Sequence, residues 1–200
     1  MNNNFVNRKD RIIASAIEII SEAGLSSLNT KTLAMKENMS ESLLYRYFGG
    51  IEEVLVEVID TYTKFDKGML ATIEAKNISH LDKVLELLKT LCTYYEGYQE
   101  MGAIVLNYEE LLHNVNTREA IAHCIKMRTE FIRQHLKAAI DEGEIRNDFS
   151  PDELSNIFMG SLTRDLLNRR IEYDSRSHTQ YADSMLERLA NILRTKETKG

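Results

Sequence analysis

Apolar residues recur every three or four positions along nearly the whole chain, which is the spacing that places them on one face of an α-helix. The first such run covers residues 11–23. Its apolar members are Ile12, Ile13, Ala16, Ile17, Ile20 and Ala23. Two shorter runs follow at residues 30–37 and 40–48. Because alternating runs rich in Val and Thr are missing, the pattern predicts an all-α fold that opens with three short helices.

Residues that favour helix ends stand at the ends of these three runs. Gly24 follows the first run in the position where a left-handed residue ends a helix. Asn29 and Ser40 precede the second and third runs, where their side-chain oxygens can accept from unpaired N–H groups of the first turn. Asn38 tolerates the left-handed conformation that a tight inter-helix turn needs. The spacing therefore predicts a helix-turn-helix bundle within residues 1–50.

The third run has an inward and an outward face. Leu44 and Phe48 are four residues apart and share the face that packs inward. The opposite face carries polar, charged and aromatic side chains, namely Glu41, Ser42, Tyr45 and Arg46. Such a helix can enter the major groove of DNA, although a small surface helix with two core residues has the same pattern.

Helical stripes continue beyond Gly49 and Gly50 to the end of the chain. A long stripe predicts a helix from Ile51 to about Ile73, and shorter ones lie at about residues 79–97, 101–113, 116–142, 151–170 and 177–195. Several open with residues that favour a helix start, namely Ser79, Asn116 with Glu119, Ser150 with Pro151 and Glu153, and Ser177 with Gln180. The sequence thus predicts a second, larger helical domain over residues 51–200.

Composition excludes several classes of protein. The 200 residues are 43% hydrophobic and contain one proline, but no apolar run approaches the ~20 residues of a membrane span. The N-terminal residues lack the apolar core of a signal peptide, so the sequence predicts a cytoplasmic protein without a membrane partner. Cys92 and Cys124 show no CxxC spacing, which argues against a disulfide framework and a structural zinc site.

The distribution of charge is more informative than its sum. The whole chain carries a net charge of −6, which argues against nucleic acid as a partner. Residues 1–50 contain six basic and five acidic side chains, so they carry +1 and the remaining residues carry −7. This contrast has the sign expected of a DNA-binding head on an acidic body, although it is modest.

The front of the chain resembles the N-terminal domain of TetR-family transcriptional regulators over about residues 10–55. The residues that carry the resemblance are Ile13, Ala16 and Gly24, then Asn29-Thr30-Lys31-Thr32-Leu33-Ala34, then Asn38-Met39-Ser40, then Leu44-Tyr45-Arg46-Tyr47-Phe48. Their order and spacing match without a gap, whereas the rest of the chain matches only as a layout of helices. The resemblance implies an N-terminal helix-turn-helix DNA-binding domain, residues 1–50, and a C-terminal helical ligand-binding and dimerisation domain, residues 51–200.

The resemblance also implies which side chains meet DNA. The candidate DNA-binding residues are Arg8, Lys9, Lys31, Thr32, Ser40, Ser42, Tyr45, Arg46 and Tyr47. Those of the third helix are expected to face the groove, and the others are expected to meet phosphates.

Three positions depart from the family pattern. Asn38 replaces the usual turn glycine. Glu41 repels phosphate, although it can accept a hydrogen bond from the N4 amine of cytosine. Ile51 stands where the family commonly has a lysine that meets the DNA backbone. The backbone N–H groups of Gly49 and Gly50 are expected to serve that contact at a helix N-terminus.

No motif for catalysis, a cofactor or a metal is found in the sequence. Gly49 and Gly50 lack the further glycine and lysine of a phosphate loop. His123 and Cys124 are adjacent, so on a helix their side chains point about 100° apart and do not suit one metal ion. Glu109 and Glu110 are expected to form a solvated helix face.

Aromatic and methionine side chains are frequent in residues 51–200. The candidate ligand-binding residues are Tyr62, Phe65, Met69, Tyr95, Tyr98, Tyr108, Met127, Phe131 and Phe158. Each of them alone is expected more often in an ordinary core. Together, tyrosines that need hydrogen-bond partners and adaptable methionines suit a pocket for a small apolar or amphipathic molecule. The resemblance implies such a pocket in the C-terminal domain.

We therefore expect a ligand-responsive transcriptional repressor that binds a palindromic double-stranded DNA operator as a homodimer, with a small-molecule effector. The last two helices are expected to form the dimer, and Gly160 would allow two backbones to approach closely there. A tight crossing inside one subunit is the other explanation of that glycine. The alternative function is a helical protein-interaction module that kept the helix-turn-helix fold but binds DNA weakly or not at all.

Overall fold

The computed structural model describes residues 7–97, 99–172 and 177–195, and within these ranges the chain is helical and has no β-strand. The helices are α1 (Arg8–Ala23), α2 (Thr30–Lys36), α3 (Glu41–Leu44), α4 (Ile51–Glu74), α5 (His80–Gly97), α6 (Gln99–Leu106), α7 (Tyr108–His113), α8 (Arg118–Asp141), α9 (Pro151–Glu172), α10 (His178–Tyr181) and α11 (Glu187–Leu193). The all-α prediction is confirmed. Within the same ranges, no helix is both long and apolar enough to cross a membrane.

Most of the predicted helix starts are confirmed because their caps are local. Asn29 accepts from the backbone N–H of Thr32, whose hydroxyl accepts in turn from the N–H of Asn29. Ser150 and Glu153 form the same reciprocal pair at the start of α9. Helix α1 begins three residues earlier than predicted, because the Asn7 side chain accepts from the N–H of Lys9.

Two predicted helices differ from the structure. The helix predicted for residues 101–113 is two helices, α6 and α7, which meet at Asn107. The predicted pair of Asn116 and Glu119 does not start α8. The N–H of Asn116 instead donates to the Asn114 side chain, and α8 begins at Arg118 with the Thr117 carbonyl as an acceptor. The turn before α8 is therefore built by its own side chains.

The last predicted helix, residues 177–195, is interrupted in its middle. Ser177 accepts from the N–H of Gln180, which confirms the predicted start. A π-helical segment, Ala182–Leu186, then separates α10 from α11. The wider turn shifts the side chains that follow it around the helix axis, and such bulges are frequent at functional sites.

The chain divides into two compact units. The first unit contains the described residues up to Lys64 together with Gln99–Cys124, and the second contains those of 65–98 and 125–200. In the first unit α6 and α2 pack on α1, and the core includes Ile12, Leu33, Leu44 and Phe48. In the second unit the core includes Leu88, Leu91, Ile132, Leu136 and Phe158. The functional division at residues 50 and 51 remains a prediction.

Candidate nucleic-acid interface and ligand cavity

The turn between α2 and α3 has the geometry that its sequence predicts. Asn38 adopts a φ angle of 51°, and it is the only non-glycine among the described residues with a positive φ. The Met39 N–H then donates to the carbonyl of Ala34, which closes the turn. Ser40 starts α3 by accepting from the N–H of Leu43. Asn38 thus replaces a glycine without loss of the turn, because its short side chain tolerates this conformation.

Helix α3 and the turn that follows it present one outward face. Leu44 and Phe48 are buried, which fixes the rotation of this segment on the core. Ser42, Tyr45 and Arg46 are consequently exposed, and Tyr45 leaves 52% of its surface accessible. The structure therefore brings three of the predicted DNA-binding side chains together on one surface. Tyr47 lies at the edge of it and is half-buried.

The remaining predicted DNA-binding residues lie around this face. Lys31 is exposed at the start of α2. Thr32 and Ser40 already act in helix caps, so their hydroxyls have partners inside the protein. Arg8 is half-buried, and the Lys9 ammonium lies over the Phe48 ring, 4.9 Å from its centroid. Lysine on an aromatic ring keeps its charge and can still reach a phosphate by rotation about its flexible stem.

Buried Glu37 holds α1 against the end of α2. Its carboxylate accepts from the Ser15 hydroxyl at 2.7 Å and from the Arg11 guanidinium at 3.3 Å. Glu37 is only 7% exposed, so these contacts compensate for the loss of water around its charge. The orientation of α2, and with it that of the turn, is tied to α1 by this carboxylate.

Glu41 is engaged within the helix-turn-helix itself. Its carboxylate accepts from the Thr30 hydroxyl at 2.9 Å, so one charge stands beside the N-termini of both α2 and α3. Helix N-termini stabilise a negative charge. A cytosine amine that approached this carboxylate would compete with Thr30 for one of its two oxygens.

The start of α4 differs from the sequence-based prediction. The N–H of Gly49 donates to the carboxylate of Glu53, so the expectation that this group is available to phosphate is wrong. A carboxylate of the protein occupies the position instead. Glu52 and Glu53 both lie in the first turn of α4 and are exposed, which makes this edge of the candidate interface acidic.

Most of the predicted ligand-binding residues are core residues in this structure. Met69, Tyr95, Phe131 and Phe158 are buried in the second unit, and Met127 is half-buried there. Tyr62 is buried and Tyr108 is half-buried, but both belong to the first unit. Tyr98 lies outside the described residues. The structure therefore does not gather the nine candidates around one open cavity.

Phe65 does line a cavity in the second unit, together with residues that were not predicted. Its ring stacks on that of Tyr94 with centroids 3.9 Å apart and planes 13° apart. The cavity has a volume of about 510 Å³, and its other lining residues are Glu86, Lys89, Thr90, Thr93 and Gly97. Thr90, Thr93, Tyr94 and Gly97 repeat at helical spacing on α5. Such a face of small and polar residues beside an aromatic ring was the signal available in the sequence.

A buried charged network lies elsewhere in the second unit. The Arg128 guanidinium donates to both carboxylate oxygens of Asp66, at 2.6 and 2.8 Å, and to the Tyr95 hydroxyl at 2.7 Å. Asp66 is fully buried and Arg128 is 2% exposed. A planar guanidinium matches a carboxylate in this two-bond geometry, which is what makes burial of both charges tolerable. Tyr95, predicted as a ligand-binding residue, is here a partner of the ion pair.

Helix α9 carries a second stripe on the side that is turned away from its core face. Ile157, Gly160, Arg164, Leu167 and Ile171 are all exposed and alternate in steps of three and four. A side-chain carbon added at Gly160 would meet no atom within 4 Å. The explanation that Gly160 permits a tight crossing inside one subunit is therefore wrong for the described residues. Ile192 of α11 is also exposed, at 65%.

Comparison with known proteins gives a consistent result. A family model described as bacterial regulatory proteins, tetR family, matches residues 12–58. The probable HTH-type transcriptional regulator YttP of Bacillus subtilis (strain 168) is 26% identical over 152 residues, which cover 72% of this chain and 68% of that protein.

Two solved structures have the same fold. The ketosteroid transcriptional regulator KstR2 of Mycobacterium tuberculosis superposes with a TM-score of 0.82 at 16% identity, covering 96% of this chain and 97% of that one. The transcriptional regulator FadR from Bacillus subtilis, in complex with stearoyl-CoA, superposes with a TM-score of 0.76 at 19% identity, covering 92% of this chain and 98% of that one.

Proposed function

Because the chain belongs to the tetR family of bacterial transcriptional regulators, we propose that it is a repressor that binds a palindromic operator as a homodimer and responds to a small apolar or amphipathic effector. The family consists of regulators rather than enzymes. The observation that carries the proposal is the outward face of α3, where Ser42, Tyr45 and Arg46 are exposed while Leu44 and Phe48 anchor the helix.

The chemistry of this face suits a major groove. Arg46 can donate two parallel hydrogen bonds to a guanine edge or to a phosphate, and Ser42 can bond to several base edges. Tyr45 adds a flat apolar surface with a hydroxyl at its tip. Lys31 and Lys9 lie at the margin and supply charge that is not specific for sequence.

The test is operator binding by two variants of one residue. With a palindrome from the region upstream of the protein's own gene, Arg46→Ala should weaken binding, and each lost phosphate contact should reduce the salt slope by roughly one unit. Arg46→Lys keeps the charge but loses the fork. It should retain the slope if Arg46 meets phosphate, and lose affinity at one operator position if Arg46 reads a base. Wild-type binding by both variants at every salt concentration would remove Arg46 from the site.

The exposed stripe on α9 supports the homodimer. Its steps of three and four are those of a helix that packs against a partner helix, and Gly160 would let the two backbones approach closely. A symmetric dimer would present two copies of α3 to two half-sites, which lie about 34 Å apart when separated by one turn of DNA. A stable monomer at micromolar concentration in sedimentation experiments would contradict this arrangement.

The effector class is supported by the cavity beside Phe65. The stacked rings of Phe65 and Tyr94 supply an apolar wall, and Lys89, Thr90 and Thr93 supply polar groups around it. The Bacillus subtilis FadR structure contains stearoyl-CoA, which supports an acyl-coenzyme A thioester as the class. Calorimetric titration with thioesters of increasing chain length, against free coenzyme A, should show affinity that grows with the acyl chain. Equal binding of free coenzyme A, or no binding at all, would exclude this class.

One observation favours the alternative function, a protein-interaction module with weak or no DNA binding. Glu53 occupies the N–H of Gly49, and Glu41 stands at the start of α3, so two carboxylates flank the candidate interface. Both would repel phosphate. In that case the wild-type protein would bind the palindrome no better than unrelated DNA of the same length.

A further inference from the structure

Two histidines in the second unit stand in line between two carboxylates. The Nδ1 atoms of His80 and His135 are 2.8 Å apart. The Nε2 atom of His135 lies 2.7 Å from the Glu74 carboxylate, and the Nε2 atom of His80 lies 3.2 Å from that of Glu142. Glu74 is the last residue of α4, His80 is the first residue of α5, His135 lies in α8, and Glu142 follows α8.

These contacts determine how many protons the two rings hold. A carboxylate accepts hydrogen bonds, so each Nε2 atom must carry a proton to bond to its glutamate. The Nδ1–Nδ1 contact needs one proton between two nitrogens. The four ring nitrogens therefore share three protons, which is one more than two neutral imidazoles carry. The pair as a whole bears a single positive charge.

Either change in protonation breaks a contact. A fourth proton would set two N–H groups against each other at 2.8 Å, where neither can accept. Loss of the third proton would turn a nitrogen lone pair toward a carboxylate or toward the other lone pair. Each of these states leaves a polar group without its partner, at a site where His135 is only 7% exposed.

The charged groups around the pair favour this single charge. Lys83 of α5 donates to the Glu74 carboxylate at 3.2 Å and to its carbonyl at 3.0 Å, so a second positive charge is already close. Asp82 is engaged by Arg194, and Glu144 accepts from Ser79 and from the Leu81 N–H. These two carboxylates therefore have other partners.

The electrostatics of the inner ring agree with the proton count. Burial lowers the pKa of His135, and the hydrogen bond to Glu74 offsets part of that effect. The same hydrogen bond, followed by that from Lys83, lowers the pKa of the Glu74 carboxyl. The edge of the Phe131 ring also packs on His135 with centroids 4.4 Å apart, which shields it from water. A further proton on the pair is thus unfavourable.

We propose that His80 and His135 share one excess proton and form an acid-labile clasp that fixes the last residue of α4 to the start of α5 and to α8. A metal ion in the same place is not supported, since no group of three His, Cys, Asp or Glu side chains among the described residues is arranged to hold one. Strong coupling of this kind means that the pair titrates as a unit rather than as two separate rings.

The clasp makes stability depend on pH with a definite sign. Below about pH 6.5 the unfolded chain protonates both imidazoles, whereas the folded clasp keeps one excess proton. Unfolding then takes up about one proton, so the unfolding equilibrium constant should rise by about tenfold for each pH unit of acidification. The clasp is stable near neutral pH and opens in acid.

The test combines ring spectroscopy with unfolding of the whole chain. Long-range nitrogen–proton spectra of the wild-type protein at neutral pH should show the two rings with three bound protons between them. Urea unfolding between about pH 5.5 and 6.5 should show the tenfold dependence in the wild type, and His135→Gln should remove most of it. His113→Gln changes an exposed histidine of α7 and should leave the wild-type dependence unchanged.

Three results would overturn the proposal. One is a pair of rings that holds two or four protons at neutral pH in the spectra, which do not require that the variant folds. Another is the same pH dependence of unfolding in His135→Gln as in the wild type. The third is a response that a chelator abolishes and zinc restores, because a metal ion would then replace the shared proton.

Discussion

The carboxylate of Glu53 accepts a hydrogen bond from the backbone N–H of Gly49, with 2.5 Å between the oxygen and the nitrogen. Glu53 lies in the first turn of α4, where unpaired N–H groups and the helix dipole attract a negative charge. A DNA phosphate that approached this helix end would have to displace the carboxylate and would be repelled by it. Glu53 is therefore expected to weaken operator binding.

Replacement of Glu53 by Gln should strengthen operator binding by roughly two- to fivefold, since a charge at a helix end is worth about 0.3–1 kcal/mol. Fluorescence anisotropy with a labelled operator at two salt concentrations measures the effect. Glu57→Gln removes the same charge one turn further along α4 and is the matched control. An equal gain in both variants would attribute the change to net charge rather than to the contact with Gly49.

The buried pair of Asp66 and Arg128 should be costly to break. Asp66→Asn would leave the guanidinium buried without a full countercharge, so we expect a loss of about 3–5 kcal/mol in the free energy of unfolding. Replacement of both residues, Asp66→Leu with Arg128→Met, should recover part of that loss because no charge is left buried. Urea unfolding of the single and double variants measures it. A double variant as unstable as the sum of both single variants would show that the pair is not the cause.

Local hydrogen bonds explain why much of the fold was predictable from the sequence. Asn29, Ser150 and Ser177 act on backbone groups two or three residues away, so the sequence contains both partners of each contact. Asn38 was predictable for the same reason, since its conformation depends on its own side chain. The failure at Asn116 is also local, because Asn114 and Thr117 compete for the same turn.

The candidate sites were less predictable because their partners are distant in sequence. Asp66 and Arg128 are 62 residues apart, and no spacing rule pairs them. His80 and His135 are 55 residues apart and become a cluster only when α5 packs beside α8. Tyrosines and phenylalanines were recognised as a group, but helical periodicity cannot distinguish a core position such as Phe158 from a cavity wall such as Phe65.

Gly160 offers a test of the homodimer that does not depend on DNA. A leucine there meets no atom within 4 Å in the subunit and is a better helix former, so Gly160→Leu should stabilise α9 by up to about 1 kcal/mol. If two copies of α9 approach closely at this position, the same change should weaken dimerisation, which sedimentation velocity measures. Gly68→Leu is the control, because Gly68 is an exposed helical glycine of α4 with equally open surroundings. A Gly160→Leu protein that dimerises as tightly as Gly68→Leu would remove Gly160 from the interface.

Phe65 is the residue at which effector binding and operator binding can be separated. It lies on α4, which begins in the first unit and ends in the second, and its ring forms part of the cavity wall with Tyr94. A ligand against this ring can change operator affinity only by its own preference for one conformation of the protein, typically 1–3 kcal/mol. Phe65→Ala removes the contact without touching α3.

We therefore expect Phe65→Ala to blunt the effector response while operator affinity without effector stays within a few-fold of the wild type. Because Phe65 is only half-buried, its loss should cost roughly 1–2 kcal/mol of stability, less than the ~3–5 kcal/mol of a fully buried phenylalanine. Phe158→Ala is the comparison, since Phe158 is completely buried and its loss should impair stability, operator binding and effector response together. Thermal unfolding, anisotropy and effector titration on both variants decide between the two roles. A Phe65→Ala protein that is destabilised as much as Phe158→Ala, yet responds normally to effector, would assign Phe65 to the core rather than to the effector site.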